Sequence, residues 1–518
     1  MFARILTSTC ALALSAGAAT AEYSLTILHT NDFHDRFEPI SKYDSGCSAE
    51  DNDAGECFGG VARMVTAVTE ARARSNNVIL VDGGDQFQGT LFYTYYKGAM
   101  TAEFMNQLGY DAMTVGNHEF DDGPEVLRGL IDAVDFPVLM SNADISGEEL
   151  LSGAIEKSTI IERGGERIGL IGLTPQNTNE LASPGPNVIF TAPAEAVQAE
   201  VDRLEAEGVN KIIVLSHSGY NVDIAIAQAT TGVDVIVGGH SHTLLGDFED
   251  AAGPYPTMVG DTAIVQARSY GKYLGELNVT FDDDGVITEA SGAPVTIDGT
   301  VAEDAAAKDR VAELAIPLEE IRNRVVAETA DVLTGDRAIC RVMECSMGNL
   351  IADAMLDRVA DQGIVIALQN SGGIRADIDA GEVTMGEVLT VLPFQNTLST
   401  FQISGATLME ALENSASQIE DGSGRFLQVA GMILTVDLSM DPGSRISDVM
   451  VGGAPIDPAA TYGVVSNNFV RNGGDGFAMF TDAANAYDFG PDLADVVAEY
   501  MAAEGAYAPY TDGRITMK

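Results

Sequence analysis

The chain has 518 residues, 46% of them hydrophobic, enough for two ordinary cores, because a single core usually stops growing near about 250 to 300 residues. Against 77 acidic residues stand 28 Lys and Arg, a formal charge of −49. That balance excludes nucleic acid and anionic membrane surfaces as partners, since both need a basic face, and an anionic small molecule must instead be held by metal ions and a few arginines.

At the N-terminus, Met1-Phe2-Ala3-Arg4, an apolar run from Ile5 to about Ala16, and Ala19-Thr20-Ala21 follow the order of a secretory signal peptide. Residues 1–21 are expected to be removed, leaving a mature protein that begins near Glu22 and is exported to the periplasm or secreted. No later run reaches the roughly 18 apolar residues of a membrane helix. Four cysteines remain beyond the leader: Cys47, Cys57, Cys340 and Cys345. An even count in an oxidising compartment suggests two disulfides, and 47 with 57 and 340 with 345 is the simplest of three connectivities. Neither pair has Cys-x-x-Cys spacing or a neighbouring histidine, which disfavours zinc.

The first half alternates short apolar runs with amphipathic stretches, the pattern of a layered α/β domain. Strands are expected at Ser24 to His29, Asn77 to Val81, Ala112 to Val115, Val138 to Met140, Lys211 to Leu215 and Val233 to Val237. Helices are expected at Val61 to Arg74, Pro124 to Val134 and Ala192 to Glu207, the last closed by Gly208. A linking helix over 301–329 follows, with Val311, Leu314, Ile316, Leu318, Ile321 and Val325 as contacts and Pro317 as a kink or restart. From 330 to 518 a second α/β region carries strands near Ile364 to Leu368, Met432 to Val436 and Tyr462 to Val465.

Nearly every polar motif directly follows an expected strand, and residues at the carboxyl ends of strands in such sheets share one crevice. Six histidines are present in the whole chain, and five sit in these motifs: Asn31-Asp32-Phe33-His34, Gly116-Asn117-His118-Glu119-Phe120-Asp121, His217, and His240-Ser241-His242. Asp82-Gly83-Gly84-Asp85 adds a carboxylate after a turn whose missing side chains let backbone approach a metal. Nitrogen and oxygen donors without thiolate suit hard or borderline divalent cations, and two such ions about 3.5 to 4 Å apart, bridged by a carboxylate, clamp an attacking water and a phosphoryl oxygen. Asp85 is the expected bridge. His118 is expected to face the phosphate with Asp121 holding its ring, a pair suited to stabilise transferring charge and assist the leaving oxygen. His29 ends a strand and reads as structural.

These motifs resemble the 5'-nucleotidase family of metallophosphoesterases, over essentially the whole mature chain. The resemblance rests on Leu28 to His34, Gly83-Gly84-Asp85, Gly116 to Asp121 and Gly238-Gly239-His240-Ser241-His242. It implies a four-layer α/β/β/α calcineurin-like domain over 22–300 and an α/β nucleotide-binding domain over 330–518. It also implies one metal on Asp32, His34, Asp85 and His242 and another on Asp85, Asn117, His217 and His240, the ions being Mn, Zn, Mg or Co. In the second domain, Cys340 to Cys345 looks like the family's disulfide-closed loop and directs Arg341 to substrate. Asn370-Ser371-Gly372-Gly373-Ile374-Arg375 supplies an amide and a second arginine for anionic groups and ribose hydroxyls. Phe394 and Phe469 match the two aromatics that sandwich the base, and Asp475 matches a ribose contact. The implied partner is a small nucleotide: a nucleoside 5'-monophosphate, with di- and triphosphates, UDP-sugars and 2',3'-cyclic nucleotides as further substrates. Two rivals are the dimanganese thiosulfohydrolase of sulfur oxidation, in which base-stacking aromatics would be idle, and a nucleotide-binding protein without catalysis, which should show gaps among the ligands.

Overall fold

The computed structural model describes residues 22–42, 44, 46–394, 396–487 and 490–518; the expected leader over 1–21 lies outside them. Two six-stranded sheets form the centre of the first half. One runs in the spatial order Ile287–Thr296, Tyr273–Phe281, Tyr23–Thr30, Val78–Asp82, Ala112–Thr114, Val138–Leu139, its last four strands parallel. The other runs Thr257–Val259, Thr262–Val265, Val235–Val237, Ile212–Ser216, Glu166–Leu173, Ser158–Arg163, with its four inner strands parallel.

The parallel strands are apolar on both faces because both faces are covered. Leu25, Ile27, Ile79 and Val81 meet Ile213, Leu215, Val235 and Val237 between the sheets. Leu28, Leu80 and Met113 point outward onto Met64, Val68, Phe104 and Leu127 of the helices Val61–Arg74, Gly98–Leu108 and Gly123–Ala133. On the far side Val214 and Ile236 meet Val197, Val201 and Leu204 of the helix Pro193–Ala206. The result is four layers, helix, sheet, sheet, helix. The expected strands occur with ends shifted by one or two residues. The antiparallel strands beyond Glu156 escape the sequence pattern; Ile287–Thr296, an edge strand that is mostly exposed, has no apolar face to read.

The linking segment departs from a single helix over 301–329. Ala305–Ala315 is helical, Ile316–Leu318 around Pro317 tightens to a 3-10 turn, and Glu319–Arg322 completes one more turn. Val325–Thr329 is instead a strand, antiparallel to Gly381–Thr384 and parallel to Ala506–Tyr507. Val311 and Leu318 are buried against the first domain and Leu314 packs beside them, whereas Ile316, Ile321 and Val325 are exposed. The 3-10 turn rotates the apolar stripe, so helical spacing projected past Pro317 assigns the wrong face.

In the second half a five-stranded sheet has the order Leu427–Ala430, Ile366–Asn370, Thr461–Asn467, Leu398–Ser404, Ala484–Tyr487. Ala367 and Val465 face the helices Ser346–Arg358 and Leu493–Glu504 through Leu350, Ala354 and Val497. Ile366, Leu368 and Val464 face the helix Gly405–Ser415 through Leu408 and Leu412. Cys47–Cys57 and Cys340–Cys345 are disulfides, with Cα atoms 6.1 and 5.1 Å apart. No helix among the described residues is long and apolar enough to cross a membrane.

Candidate active site

Each histidine and carboxylate motif leaves the carboxyl end of a central strand, and the two stacked sheets bring the five ends together. The turns are tight enough that Asp32, His34, Asp85, His240 and His242 all adopt left-handed backbone, with φ between 50 and 69°. Such conformations in non-glycine residues persist where surroundings over-determine them, commonly at functional sites. A side chain at Gly116 would come 2.2 Å from Asp85 Oδ1, so glycine is what allows these two loops to touch.

Donor atoms converge in three overlapping groups: Asp32, His34 and His242; Asp85, His217 and His240; and His34, Asp85 and His118. Asp85 is central. Its Oδ1 accepts the backbone N–H of His118 at 2.9 Å, which turns Oδ2 towards His217 Nε2 at 2.8 Å and leaves it 4.0 Å from both His34 Nε2 and His118 Nε2. His242 Nε2 lies 3.1 Å from Asp32 Oδ1. The ring orientations are set from behind. His217 Nδ1 donates to Gly83 O at 2.6 Å, and His34 Nδ1 lies 3.0 Å from the carbonyls of Phe87 and Gln88. Because a carbonyl only accepts, Nδ1 carries a proton in both, which leaves Nε2 of His34 with a lone pair and turns Nε2 of His217 towards Asp85. Asn117 Oδ1 is buried without a hydrogen-bond partner, as an amide oxygen awaiting a cation would be. This donor set fits divalent metal ions.

The electrostatics agree. Burial holds His34, His240 and His242 well below the usual histidine range, helped by Arg375, His217 and Arg337 respectively, so these rings are neutral, as metal ligands must be. Burial also pulls His217 down, but Asp85 and Asp32 outweigh it and raise it to about 10, a measure of how strongly this spot favours positive charge. His118 Nδ1 lies 2.7 Å from Asp121 Oδ2, which also accepts Gln88 Nε2 at 3.2 Å. There too burial opposes the imidazolium, and Asp121 and Asp85 prevail. His29 is fully buried, holds Tyr255 OH at 2.8 Å and is pushed down to about 3 by burial; its role is structural.

Glu119 stands in a recognised motif, yet its task is not legible from sequence. Its carboxylate accepts the backbone N–H groups of Gly116, Asp85, Gln86 and Phe87 at 2.6 to 3.1 Å, tying the Asp85 loop to the Asn117 loop. Glu119→Ala would strand four buried amides, each costing about 1–3 kcal/mol. We expect a loss of at least about 3 kcal/mol, read as an earlier denaturation midpoint of the N-terminal domain, with Glu119→Gln falling between.

The second domain closes over this cluster, leaving a cleft of about 1030 Å³. Asp85, Asn117, His118, Asp121, His240 and His242 line one wall; Asp32, His34 and His217 lie buried beneath it. Arg341, Asn370, Arg375, Phe394, Phe469 and Asp475 line the other. Arg375 reaches across to His34 Nε2 at 3.2 Å, and Phe394 rests on His118 with ring centroids 5.6 Å apart. The Phe469 ring fills the space that a side chain on Gly474 would occupy. Asn370 Nδ2 donates to Asp475 Oδ2 at 2.7 Å. Arg337, which no motif singles out, joins Arg341 in the wall and donates to His240 O at 3.3 Å. Burial and the neighbouring arginines lower both guanidiniums, Arg337 to about 10, so the cleft is primed for an anion. A search for arginines four apart around the Cys340–Cys345 loop would have found it.

Residues 25–244 match the calcineurin-like phosphoesterase family and residues 325–482 match the C-terminal domain of 5'-nucleotidases. The chain is 39% identical to snake venom 5'-nucleotidase of Naja atra over 95% of this chain and 98% of that one. It is also 39% identical to 5'-nucleotidase of Homo sapiens, over 96% and 91%. A solved structure of the 5'-nucleotidase precursor from Thermus thermophilus is similar with a TM-score of 0.91 at 42% identity, over 96% and 99% of the two chains. Fold, donor cluster and relatives together define a metal-dependent phosphoric monoester hydrolase. The chain belongs to the 5'-nucleotidase family.

Proposed function

We propose that this protein is an exported hydrolase that uses two divalent cations to release phosphate from nucleoside 5'-monophosphates, with nucleotide di- and triphosphates, UDP-sugars and 2',3'-cyclic nucleotides as further substrates. The observation that carries the reading is one cleft in which His118 with Asp121, the carboxylate–histidine cluster, three arginines and two phenylalanines face each other across the domain boundary. Asp32, His34, Asp85 and His242 would hold one ion, and Asp85, Asn117, His217 and His240 the other; Mn, Zn, Mg and Co all suit these donors. Bound there, such ions would supply an activated water and polarise a phosphoryl oxygen.

The chain's own groups do the rest. Arg337, Arg341 and Arg375 orient the phosphate by charge-assisted hydrogen bonds. His118, held by Asp121, stabilises charge on the transferring group and gives a proton to the leaving nucleoside oxygen. Asn370 and Asp475, already hydrogen-bonded to each other, receive ribose hydroxyls, and Phe394 and Phe469 stack on the base. Export is supported by the two disulfides and the leader-like N-terminus.

Metal-stripped mature protein should be silent on AMP and regain phosphate release with Mn or Zn, UDP-glucose and ATP being assayed alongside. Silence on every nucleotide with metals bound would overturn the substrate reading in favour of the sulfur-oxidation chemistry. Phe469→Ala should lower kcat/KM for AMP by about 5- to 150-fold, one base-aromatic stack being worth roughly 1–3 kcal/mol. Hydrolysis of phenyl phosphate should hardly change; equal loss on both would remove the stacking role.

A further inference from the structure

Residues 267–271 are pinned along the first ligand loop. Ala267 N–H donates to Asn31 Oδ1 at 3.0 Å, Asn31 Nδ2 donates to Arg268 O, and Tyr270 N–H donates to Asp32 O at 2.7 Å. A side chain on Gly271 would meet the Phe33 ring at 2.6 Å, so segment and loop are in direct contact along their length. Arg268 and Tyr270 are held at φ 56 and 62°, backbone that non-glycine residues keep only when their surroundings fix it.

That backbone places the Tyr270 ring against two imidazoles at once. Its centroid lies 5.6 Å from His34 and 5.4 Å from His242, at interplanar angles of 56° and 83°. One residue therefore touches Asp32 by its backbone and His34 and His242 by its ring: every member of one donor group. The other group is fixed differently. His217 and His240 rest edge-on against each other, with centroids 5.2 Å apart, and His217 is anchored by Gly83 O. Behind Tyr270, the Arg36 guanidinium lies 4.9 Å from the ring centroid. Arg36 is buried, and its Nε and Nη2 have no hydrogen-bond partner among the described residues. A buried guanidinium is costly unless other contacts employ it, and here Tyr270 supplies its π face and a side-chain hydrogen bond while Asp44 adds opposite charge.

We propose that Tyr270, backed by Arg36, is a positioning residue that sets the imidazoles of His34 and His242 and thereby the metal affinity of the Asp32 half of the site, leaving the His217 half unaffected. This rests on the two-ion reading above. The bland alternative, a tyrosine that merely fills the core, predicts no difference between the halves.

The test is calorimetric titration of metal-stripped mature protein with Mn²⁺, together with elemental analysis of metal retained after dialysis. In Tyr270→Leu one ion should bind as in the wild type and the other about 10- to 100-fold more weakly, the usual cost of losing a group that orients metal ligands. Tyr270→Phe should weaken that ion far less than Tyr270→Leu, because the ring that meets His34 and His242 is kept and only the phenol's interaction with Arg36 is lost. Arg36→Met should weaken the same ion as Tyr270→Leu. Equal weakening of both ions in folded Tyr270→Leu, no change in either, or a Phe variant as defective as Leu would each overturn the proposal. If Tyr270→Leu does not fold, Arg36→Met decides it, and unchanged affinity for both ions counts against. A wild type that holds fewer than two ions would instead overturn the two-ion reading itself.

Discussion

Asp85→Asn is expected to abolish turnover of AMP, by more than about a thousandfold, and to lower bound metal with it. The side chain is isosteric, so its Oδ1 can still accept the backbone N–H of His118, a bond of 2.9 Å in the native chain, and the Gly116 loop has no steric reason to move. What changes is charge. Although burial raises Asp85, His217 and His118 hold it well below the usual carboxylate range, and Oδ2 is the atom on which His217, His34 and His118 converge. A neutral amide at that point leaves His217 with less opposing charge and deprives the proposed pair of cations of the anion they would share. Removing one preorganised electrostatic group at a reacting centre typically costs about 10² to 10³ in rate, and here metal binding is lost as well. Elemental analysis beside steady-state kinetics checks both; full metal content with little activity would show that Asp85 is not the bridge.

His118→Ala separates chemistry from metal. The Nε2 of His118 projects into the cleft while Nδ1 is tied to Asp121 at 2.7 Å, so its removal leaves the other donor groups standing. Loss of a positioned acid typically costs about 10² to 10⁴ in kcat, with metal content and the KM for AMP near wild type. The ring of Phe394 rests on His118, so a modest change in KM is tolerable, whereas loss of metal would make His118 a ligand rather than a proton donor. Asp121→Asn should give a smaller loss of the same kind, because Gln88 Nε2 still reaches the same side chain and the ring keeps its place without the carboxylate charge.

Much of this is readable in the primary structure. The apolar runs of the parallel strands announce themselves because both faces are covered, and glycines after them mark turns where backbone passes within van der Waals contact. Edge strands such as Ile287–Thr296 are not readable, since an exposed strand needs no apolar face. The linking helix is overextended in the sequence reading because apolar spacing continues past Pro317 while the chain changes to 3-10 geometry and then to a strand. Glu119 and Arg337 escape as contributors because one acts through backbone N–H groups, which leave no spacing signal, and the other stands outside every strand-end motif, its one signal being the four-residue spacing to Arg341.

By itself the sequence determined the chemistry on offer: which side chains can donate to a cation, which can carry a proton, which can pair with phosphate, and that most of them follow a strand. Local pattern suffices for that because residue type and strand periodicity are properties of a few consecutive positions. Only the tertiary structure decided that Asp32 and His242, more than two hundred positions apart, lie 3.1 Å from each other. It likewise decided that Arg375 of the second domain reaches His34 of the first, and that Tyr270 leans on one half of the donor cluster. Those distances follow from how two sheets stack and how the domains close, set by the summed burial of core side chains remote from the site.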